Sequence, residues 1–303
     1  MSDAPESHGA ATVSVIIPAF QSADCIGAGI HSVLAQSRPV EEIIVVDDGS
    51  DDHLRDVLPA GVRYVRHDVN RGSSASRNTG ARLAKGNYLV FLDADDTLAP
   101  DAIEKMLAAV EQTGASWCIT DMDRYENGKI DLWRCLPENP DPLVAILAGD
   151  FIMSGVFFRR EDFEAVGMYD EALRARVDWD INIRMIEAGK LYCYLAEPLY
   201  RYHRREGSIQ TSQIDKVLDC TERIFVKHHR RLAPRSRQLS RALGAATWHL
   251  GRNYWQAKHH LIAIYYVALS ILRERSLRRA GRVLKRVARR VIPSSASPSS
   301  ALR

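Results

Sequence analysis

Three carboxylates follow an apolar run in the segment NYLVFLDADD, which extends from Asn87 to Asp96. They belong to Asp93, Asp95 and Asp96, and negative charges this close repel one another unless a cation or a proton lies among them. Metal ligation is one interpretation of this pattern, and a nucleophilic aspartate is another. The simplest alternative is an acidic turn after a strand, with no chemical role.

A second acidic pair, Asp47 and Asp48, ends the apolar part of EEIIVVDDGS. A structural alternative is open here too, because a tight turn with a helix cap at Ser50 or Asp51 has the same pattern. A third apolar run, TVSVIIPAF, reaches a proline at Pro18. In each case a residue of special chemistry or geometry stands where a buried strand is predicted to stop.

The segments around these residues predict an α/β fold. Four β-branched or apolar runs predict buried strands, and apolar residues between them recur at helical spacing, with helices that end at Gly86 and Gly114. This alternation is typical of a mostly parallel sheet flanked by helices, in which ligands bind beyond the carboxyl ends of the strands. We predict that Pro18, Asp48 and Asp95 all lie at those ends.

The alternation of predicted strands and helices is less regular after about Ile119. The segment VDWDINIRMIEAGK predicts a helix that ends at Gly189, and LYCYLAEPLYRYH predicts two short strands around Pro198. From Ile214 onward only helical patterns occur. The twelve-residue apolar run LIAIYYVALSIL is shorter than the roughly 20 residues of a bilayer-spanning helix, and we interpret it as a buried helix face.

Composition predicts a soluble protein with one large domain and an appendage. The chain has 303 residues, of which 46% are apolar and 26% charged. Its first residues, MSDAPESHGAAT, lack the apolar core of a signal peptide, and its five cysteines are scattered without a C-x-x-C pair. We therefore predict a cytoplasmic protein without a disulfide framework or a zinc site.

Charge is concentrated at the C-terminal end. Residues 271–303 contain ten Lys and Arg and one acidic residue, so this segment carries +9 and the rest of the chain −6. The segment SLRRAGRVLKRVARRVI predicts a basic amphipathic helix, which either lies on an anionic membrane surface or packs on its neighbour in solvent. Nucleic acid is not predicted as a partner, because aromatic residues are not interleaved with the basic ones.

Four segments together resemble the signature of family 2 glycosyltransferases: VSVIIPAF, EEIIVVDDGSDD, RGSSASRNTGARLAKGNYLVFLDADD and VDWDINIRMIEAG. The resemblance covers about residues 11–212. It implies an inverting enzyme with a nucleotide-diphospho-sugar-binding α/β domain of the GT-A type at residues 12–212. We expect a disordered N-terminus at 1–11, a helical extension with the basic helix at 213–292, and a disordered tail at 293–303.

The resemblance implies that the D-x-D stretch Asp93, Ala94 and Asp95 contacts the nucleotide sugar. A divalent cation, Mn²⁺ or Mg²⁺, would stabilise the charge of the departing diphosphate. Residues two apart on an extended strand point to the same face, so Asp93 and Asp95 are predicted to aim at one metal site. Asp95 is the implied direct ligand, and Asp93 or Asp96 would bind the sugar or ribose or complete the site through water.

Further nucleotide contacts are implied at Pro18 and Phe20, against the base and ribose, and at Asp48, which would accept a hydrogen bond from uracil. Gly72 and Arg77 would lie beside the nucleotide. Arg77 has three open interpretations: it pairs with a phosphate, it pairs with the aspartates at the strand ends, or it forms a structural salt bridge inside the domain.

The acceptor side departs from the family pattern. The family has a Glu-Asp pair at a helix start, and the Asp removes the acceptor proton as general base; here the pair is Val177 and Asp178. We predict Asp178 as the base and Asp180 as its reserve, while a helix cap is the structural alternative for Asp178. His203 resembles a histidine near the diphosphate that is sometimes a metal ligand, and a purely structural role is its alternative.

The resemblance predicts transfer of a single sugar, with a UDP-sugar as donor and a glycan or lipid-linked acceptor, in cell-surface polysaccharide or glycolipid synthesis. The processive motif Q-x-x-R-W is absent from the sequence. Two alternatives are open. FLDADDTL also satisfies D-x-D-x-T, the pattern of haloacid-dehalogenase-type phosphohydrolases, in which Asp93 would be a nucleophile. The missing glutamate at Val177 instead suggests a non-catalytic protein that binds sugar nucleotides.

Overall fold

A computed structural model describes residues 11–126, 128–135, 139–148, 152, 157–204, 214–256 and 260–274. The chain divides into two compact units, one that extends to Ile224 and one that begins at Phe225. The first unit contains the sheet and the residues predicted to do chemistry. The predicted N-terminal segment 1–11, except for Ala11, and the predicted basic amphipathic helix and C-terminal tail lie outside the described residues.

The first unit is a single nine-stranded sheet with helices packed against it. The strands are β1 (Val13–Ala19), β2 (Glu42–Asp47), β3 (Arg63–Arg66), β4 (Tyr88–Phe91), β5 (Thr97–Leu98), β6 (Trp117–Glu126), β7 (Lys129–Trp133), β8 (Phe157–Arg159) and β9 (Tyr192–His203). The helices of the first unit are α1 (Ile26–Leu34), α2 (Ser73–Leu83), α3 (Ala102–Thr113), α4 (Pro142–Ala148), α5 (Arg160–Ala165) and α6 (Val177–Glu187). Helix α7 (Ile214–Leu232) contains the boundary between the two units, and α8 (Arg237–Gln256) and α9 (His260–Glu274) belong to the second unit. There are 3₁₀ turns at Leu54–Val57 and Ala233–Arg235.

The sheet has the order β3-β2-β1-β4-β8-β6-β9-β5, and β7 pairs with β6. Strands β3, β2, β1 and β4 are parallel, as are β6 and β9, whereas β5, β7 and β8 run antiparallel to their neighbours. The predicted α/β fold with flanking helices is confirmed. A parallel arrangement holds throughout the first four strands, and the other half of the sheet is mixed.

The parallel half forms because its strands are apolar on both faces. In β1 and β2 the residues Val15, Ile16, Ile44 and Val45 have no exposed surface, as expected for strands covered by helices on each side. Register pairs Ala19 of β1 with the last residue of β2, so the two strands stop at the same edge. The carboxyl ends of β1, β2 and β4 are therefore neighbours, as the sequence predicted.

The predicted path of the chain through the three carboxylates is wrong. Strand β4 ends at Phe91, and the segment from Asp93 to Asp96 is a turn in which the Asp96 N–H donates to the Asp93 carbonyl at 3.0 Å. The side chains of Asp93 and Asp95 therefore do not share a face through strand geometry. A turn lets the chain reverse into the short strand β5, whose partner is β9.

The prediction of two short strands around Pro198 is also wrong. The segment forms one strand, β9, and its pairing with β6 slips where Thr120 faces Leu195 but the next residue, Asp121, faces Pro198. An irregularity of this kind accommodates a proline inside a strand, because proline has no N–H for the ladder. Strands β6, β7 and β8 were not predicted at all.

The described helices of the second unit agree with the purely helical pattern expected from Ile214 onward. In α9 the prediction of a buried face is confirmed for Ala263 and Tyr266, while Ile264 and Tyr265 are exposed. Within the described part of the chain, none of the helices combines the length and the apolar composition needed to cross a bilayer.

Helix α2 lies against β1 so closely that only glycine fits at one position. A Cβ atom at Gly80 would stand 2.4 Å from Cγ2 of Ile16, whereas one at Gly27 in α1 would have no atom within 4 Å. We expect Gly80→Ala to lower the free energy of unfolding by about 1–3 kcal/mol, because the α2–β1 contact must open. Gly27→Ala is the control and should leave stability unchanged or raise it by up to about 1 kcal/mol. Chemical denaturation measures both, and equal stability of the two variants would contradict the close contact.

Candidate active site

Asp47, the last residue of β2, is a structural residue. Its carboxylate is fully buried and accepts hydrogen bonds from the Ser50 N–H at 2.8 Å and the Tyr64 hydroxyl at 2.6 Å, and it forms an ion pair with Arg66. Burial alone raises the pKa of Asp47, but these hydrogen bonds outweigh burial and hold the pKa below its ordinary value. Asp47 thus stabilises the turn that follows β2.

Asp48 fixes the loop that leads into α2. Its Oδ1 accepts the Arg71 N–H at 2.8 Å and lies 2.8 Å from Nδ1 of His67, and its Oδ2 accepts the Gly72 N–H at 2.6 Å. Gly72 has φ = +93°, a conformation that glycine adopts without strain. The uracil contact predicted for Asp48 would therefore add a further hydrogen bond to a carboxylate that already accepts three.

The loop after β1 presents an exposed aromatic ring at the same edge. Phe20 keeps 48% of its surface exposed, and Pro18 is partly buried at the end of the strand. The next residue, Gln21, has φ = 51°, and its backbone N–H donates to Ser50 Oγ at 3.0 Å. The β1 loop and the β2 turn are thus tied together, and the Phe20 ring is left facing solvent beside them.

Asp93 and Asp96 both have polar partners inside the protein. Asp93 pairs with the buried guanidinium of Arg77, whose Nη2 lies 2.5 Å from Oδ1. Asp96 is fully buried and accepts hydrogen bonds from the Tyr200 hydroxyl at 2.6 Å and the His203 N–H at 2.8 Å. This answers how like charges coexist here: a cation neutralises one of them, and hydrogen bonds hold the second.

The pKa of Asp96 lies well above its ordinary value. Burial is the largest cause, and the negative charges of Asp93 and Asp95 add to it. Asp95 itself is only partly buried. Three carboxyl groups thus lie together in this turn, and a cation among them would be stabilised.

The residues of the turn fit a divalent cation that arrives together with its phosphate ligands. Mg²⁺ is bound by one or two carboxylates plus phosphate oxygens and water, and Asp93 and Asp95 supply such carboxylates. A preformed cage is not present, because the described residues contain no group of three His, Cys, Asp or Glu side chains that could hold a metal ion. His203 Nε2 lies 3.1 Å from Thr97 Oγ1, and its ring stacks on Tyr125, so ligation through Nε2 would replace the threonine contact.

Asp178 approaches this edge from the other side, in the first turn of α6. Its Oδ1 lies 3.3 Å from the Tyr169 hydroxyl, and the Tyr169 ring lies 5.3 Å from the guanidinium carbon of Arg77. Burial raises the pKa of Asp178 and so does the charge of Asp93, while Arg77 and Tyr169 act in the opposite direction. Asp93, Arg77 and Asp178 thus form one electrostatic group.

The alternative prediction, that Asp178 caps its helix, is wrong. The N-cap position of α6 is occupied by Arg176, with φ = 58° and no side-chain cap hydrogen bond, and Asp178 is the second residue of the helix. Asp180 differs sharply from Asp178, because it is fully buried and its carboxylate accepts a hydrogen bond from Arg184 Nε at 2.8 Å. Of the two candidate bases, only Asp178 keeps part of its surface exposed.

Most of the residues singled out from the sequence lie along one edge of the sheet. Pro18 lies near the end of β1, Phe20 and Asp48 follow β1 and β2, and Gly72 immediately precedes α2. The second group is Asp93, Ala94 and Asp95, which follow β4, and His203, which ends β9. Arg77 on α2 contacts the second group and interacts electrostatically with Asp178. Arg77 pairs with the aspartate that follows β4, which is also an ion pair within the domain, and its pairing with a phosphate stays a prediction.

Sequence reasoning missed two tyrosines that support this group, Tyr169 and Tyr200. Asn78, next to Arg77, accepts the Tyr169 N–H at 3.0 Å and donates to the Tyr169 carbonyl at 2.9 Å. Tyr200 links Asp96 to the backbone N–H of Asp93. No local pattern marks Tyr169 or Tyr200, because their partners are far away in sequence.

The model of the family described as glycosyl transferase family 2 matches residues 14–167 of this chain, half of its length. The chain belongs to this family, and its class of activity is sugar transfer, as the sequence resemblance predicted. Among its relatives is the succinoglycan biosynthesis protein ExoO of Rhizobium meliloti (strain 1021), which is 30% identical over 232 residues, 69% of this chain and 67% of that protein.

Solved structures share the fold at low sequence identity. TarS 1-349 of S. aureus in complex with UDP-GlcNAc superposes with a TM-score of 0.62 and 17% identity, over 91% of this chain and 92% of that one. The match to the longer TarS chain spans 54% of its length. GalNAc-T7 with UDP, GalNAc and Mn²⁺ superposes with a TM-score of 0.57 and 19% identity, over 71% of this chain and 48% of that one.

The hydrogen bonds of Asp48 make its substitution a test of the loop geometry. Asp48→Asn replaces one acceptor oxygen by an amide N–H₂ that faces other donors, and we expect the free energy of unfolding to fall by about 1–3 kcal/mol. Asp51→Asn is the matched control, because this exposed residue accepts from Gln21 Nε2 and an amide oxygen can do the same. Thermal denaturation compares the two, and an Asp48→Asn variant as stable as the control would contradict the structural role.

Proposed function

We propose that this chain moves one sugar from a nucleotide-diphospho-sugar, with UDP as the nucleotide, to an acceptor hydroxyl with inversion at the anomeric carbon. One observation carries the proposal. The buried Arg77 pairs with Asp93 in the acidic turn and interacts with Asp178 at the start of α6. A donor-side carboxylate and an acceptor-side carboxylate are thus held around one cation at the edge of the sheet where ligands of α/β folds bind.

The nucleotide would be bound at the β1 and β2 ends. The exposed Phe20 ring and Pro18 offer apolar surface to the base and ribose, which supports their predicted role. Asp48 would accept from uracil and at the same time keeps the Gly72 loop in place. Gly72 would lie beside the nucleotide, and its missing side chain leaves room for Arg174, whose Nη1 would stand 2.1 Å from a Cβ atom at this position.

The diphosphate would lie beside the acidic turn. A bound Mn²⁺ or Mg²⁺ supplies positive charge that stabilises the departing diphosphate. Asp95 is the residue proposed to hold the cation directly, with Asp93 and Ala94 contacting the sugar and with His203 as a further ligand. Arg77 keeps Asp93 in a fixed orientation through the ion pair. The Mn²⁺ complex of GalNAc-T7 supports a metal requirement in proteins of this fold.

Asp178 would act as the general base. Its carboxylate takes the proton from the acceptor hydroxyl as that oxygen attacks the anomeric carbon from the face opposite the diphosphate. The bond from the anomeric carbon to the phosphate oxygen breaks, and the diphosphate leaves with the electron pair. Burial raises the pKa of Asp178, which makes it a stronger base than a solvated carboxylate.

The relatives support a role in cell-surface polysaccharide or glycolipid synthesis, since one of them is named a succinoglycan biosynthesis protein. The TarS complex with UDP-GlcNAc supports UDP as the nucleotide. The acceptor would be a glycan or a lipid-linked sugar, and the protein would act in the cytoplasm, with its basic C-terminal segment on an anionic membrane. The direct test is release of UDP from a panel of UDP-sugars with Mn²⁺; release of phosphate from monoesters instead would indicate a phosphohydrolase.

Asp95→Asn tests the donor side. We expect it to reduce Mn²⁺-dependent binding of UDP by at least about 100-fold, because the neutral amide cannot compensate the cation's charge. Asp131→Asn, at an exposed position of β7 paired with Arg124, is the control and should bind UDP normally. Isothermal titration calorimetry with and without Mn²⁺ measures both, and undiminished binding by Asp95→Asn would remove this residue from the metal site.

Asp178→Asn tests the acceptor side. We expect UDP affinity to stay within about twofold of the parent and sugar transfer to fall by about 100-fold to 10,000-fold, because the amide cannot accept the proton. Steady-state kinetics with calorimetry separates the two effects, again with Asp131→Asn as control. Transfer at the parent rate would assign the base to another group.

A further inference from the structure

A buried tyrosine stands between the donor and acceptor sides of the site. Only 4% of the Tyr169 surface is exposed, and its hydroxyl lies 3.3 Å from Oδ1 of Asp178. Within the described residues no other side chain donates a hydrogen bond to Asp178. A phenol hydroxyl that is buried needs a partner, and here the carboxylate supplies it.

Tyr169 is itself held rigidly. Asn78 accepts its N–H and donates to its carbonyl, so both backbone groups of Tyr169 are bonded to one side chain. The two residues before it, Gly167 and Met168, have φ of 90° and 56°, which turns the chain sharply into this position. A left-handed conformation at Met168 costs free energy, and surrounding contacts such as the Asn78 pair must maintain it.

The ring of Tyr169 is packed as firmly as its backbone. Phe91 makes an edge-to-face contact at 5.2 Å between ring centroids, and Phe163 makes another at 5.4 Å. The guanidinium of Arg77 lies 5.3 Å from the ring centroid while it pairs with Asp93. Tyr169 can therefore neither rotate nor withdraw without disturbing the donor side.

We propose that Tyr169 is a positioning residue for sugar transfer: its hydroxyl binds Oδ1 of Asp178 and so directs Oδ2 toward the acceptor hydroxyl. This inference rests on the proposed function, in which Asp178 is the base. A carboxylate with one oxygen bonded cannot rotate freely about its Cβ–Cγ bond. Fixing its orientation keeps the accepting oxygen within reach of the acceptor proton, a requirement of general base catalysis.

The hydrogen bond also affects the charge of the base. The groups that act on Asp178 are Arg77 from α2, Asp93 from the acidic turn and Tyr169 from the loop before α6. Arg77 and the Tyr169 hydroxyl stabilise the carboxylate, whereas burial and Asp93 destabilise it. Removing the hydroxyl raises the pKa of Asp178 further, so a smaller fraction of the base is deprotonated at a given acidic pH.

Tyr169→Phe removes the hydroxyl and keeps the ring. We expect kcat to fall about tenfold with the KM for the donor unchanged within about twofold, because the donor contacts are untouched. The acidic limb of the kcat/KM profile should move to higher pH by about half to one unit. Tyr194→Phe is the matched control, since it removes a tyrosine hydroxyl that lies 2.6 Å from Oδ1 of Asp121, and its profile should not move.

A double-mutant cycle adds a readout that a structural role would not give. If Tyr169 acts through Asp178, then Tyr169→Phe should cause no further loss of transfer in the Asp178→Asn background. Equal losses in both backgrounds would overturn the inference. An unmoved acidic limb in Tyr169→Phe would overturn it as well.

Carbon NMR of the Asp178 carboxyl tests the contact without any turnover. In protein labelled with ¹³C-aspartate, the resonance that disappears in Asp178→Asn should titrate at higher pH in Tyr169→Phe than in the parent. If no sugar is transferred but this shift is observed, the proposed function fails and the contact stands. If sugar is transferred but the shift is absent, the contact fails and the proposed function stands. Should Tyr169→Phe fail to fold, 3-fluorotyrosine at position 169 is the second variant, because fluorine makes the hydroxyl a stronger hydrogen-bond donor. The Asp178 titration should then move to lower pH, and an unmoved titration would overturn the contact.

Discussion

The ion pair between Arg77 and Asp93 is the interaction on which the arrangement of the site depends. Only 5% of Arg77 is exposed, and burial by itself lowers the pKa of its guanidinium. The negative charges of Asp93 and Asp178 outweigh that cost and raise the pKa, so the residue stays charged. Removing one partner of a buried ion pair lowers the free energy of unfolding by about 3–5 kcal/mol. The loss is smaller where one partner keeps contact with solvent, as Asp93 does.

Helix α2 is the element that makes this arrangement rigid. Its N-cap is Gly72, whose N–H donates a hydrogen bond to Asp48, and it packs on β1 through Gly80. Two adjacent residues on its buried side, Arg77 and Asn78, then reach the acidic turn and the Tyr169 loop respectively. One helix therefore sets the distance between the acidic turn and the Tyr169 loop, and a shift of α2 would move both together.

Two carboxyl groups at this edge of the sheet are buried at a cost in free energy. Burial raises the pKa of both Asp96 and Asp178, which means that their charged forms are less stable in the folded protein than in water. Hydrogen bonds from Tyr200 and Tyr169 offset part of that cost. Shifts of this kind are characteristic of functional sites, where a strained charge is retained because the reaction uses it.

The sequence by itself determined the family, the parallel half of the sheet and the edge at which the site lies. Buried parallel strands are apolar on both faces, so their ends are visible as abrupt changes to Pro18, Asp48 and Asp93. It did not reveal β6, β7 and β8. Strand β7 is exposed along its whole length, so it lacks the apolar run by which a buried strand is recognised.

Only the tertiary structure decided what each carboxylate does. Asp47 and Asp48 are adjacent and chemically identical, yet one stabilises a turn with Arg66 and the other holds the loop into α2. Asp178 and Asp180 are two residues apart, and the difference between a partly buried residue and a fully buried one paired with Arg184 arises from packing. These assignments depend on burial and on partners distant along the chain, and neither is encoded in the local pattern of residues.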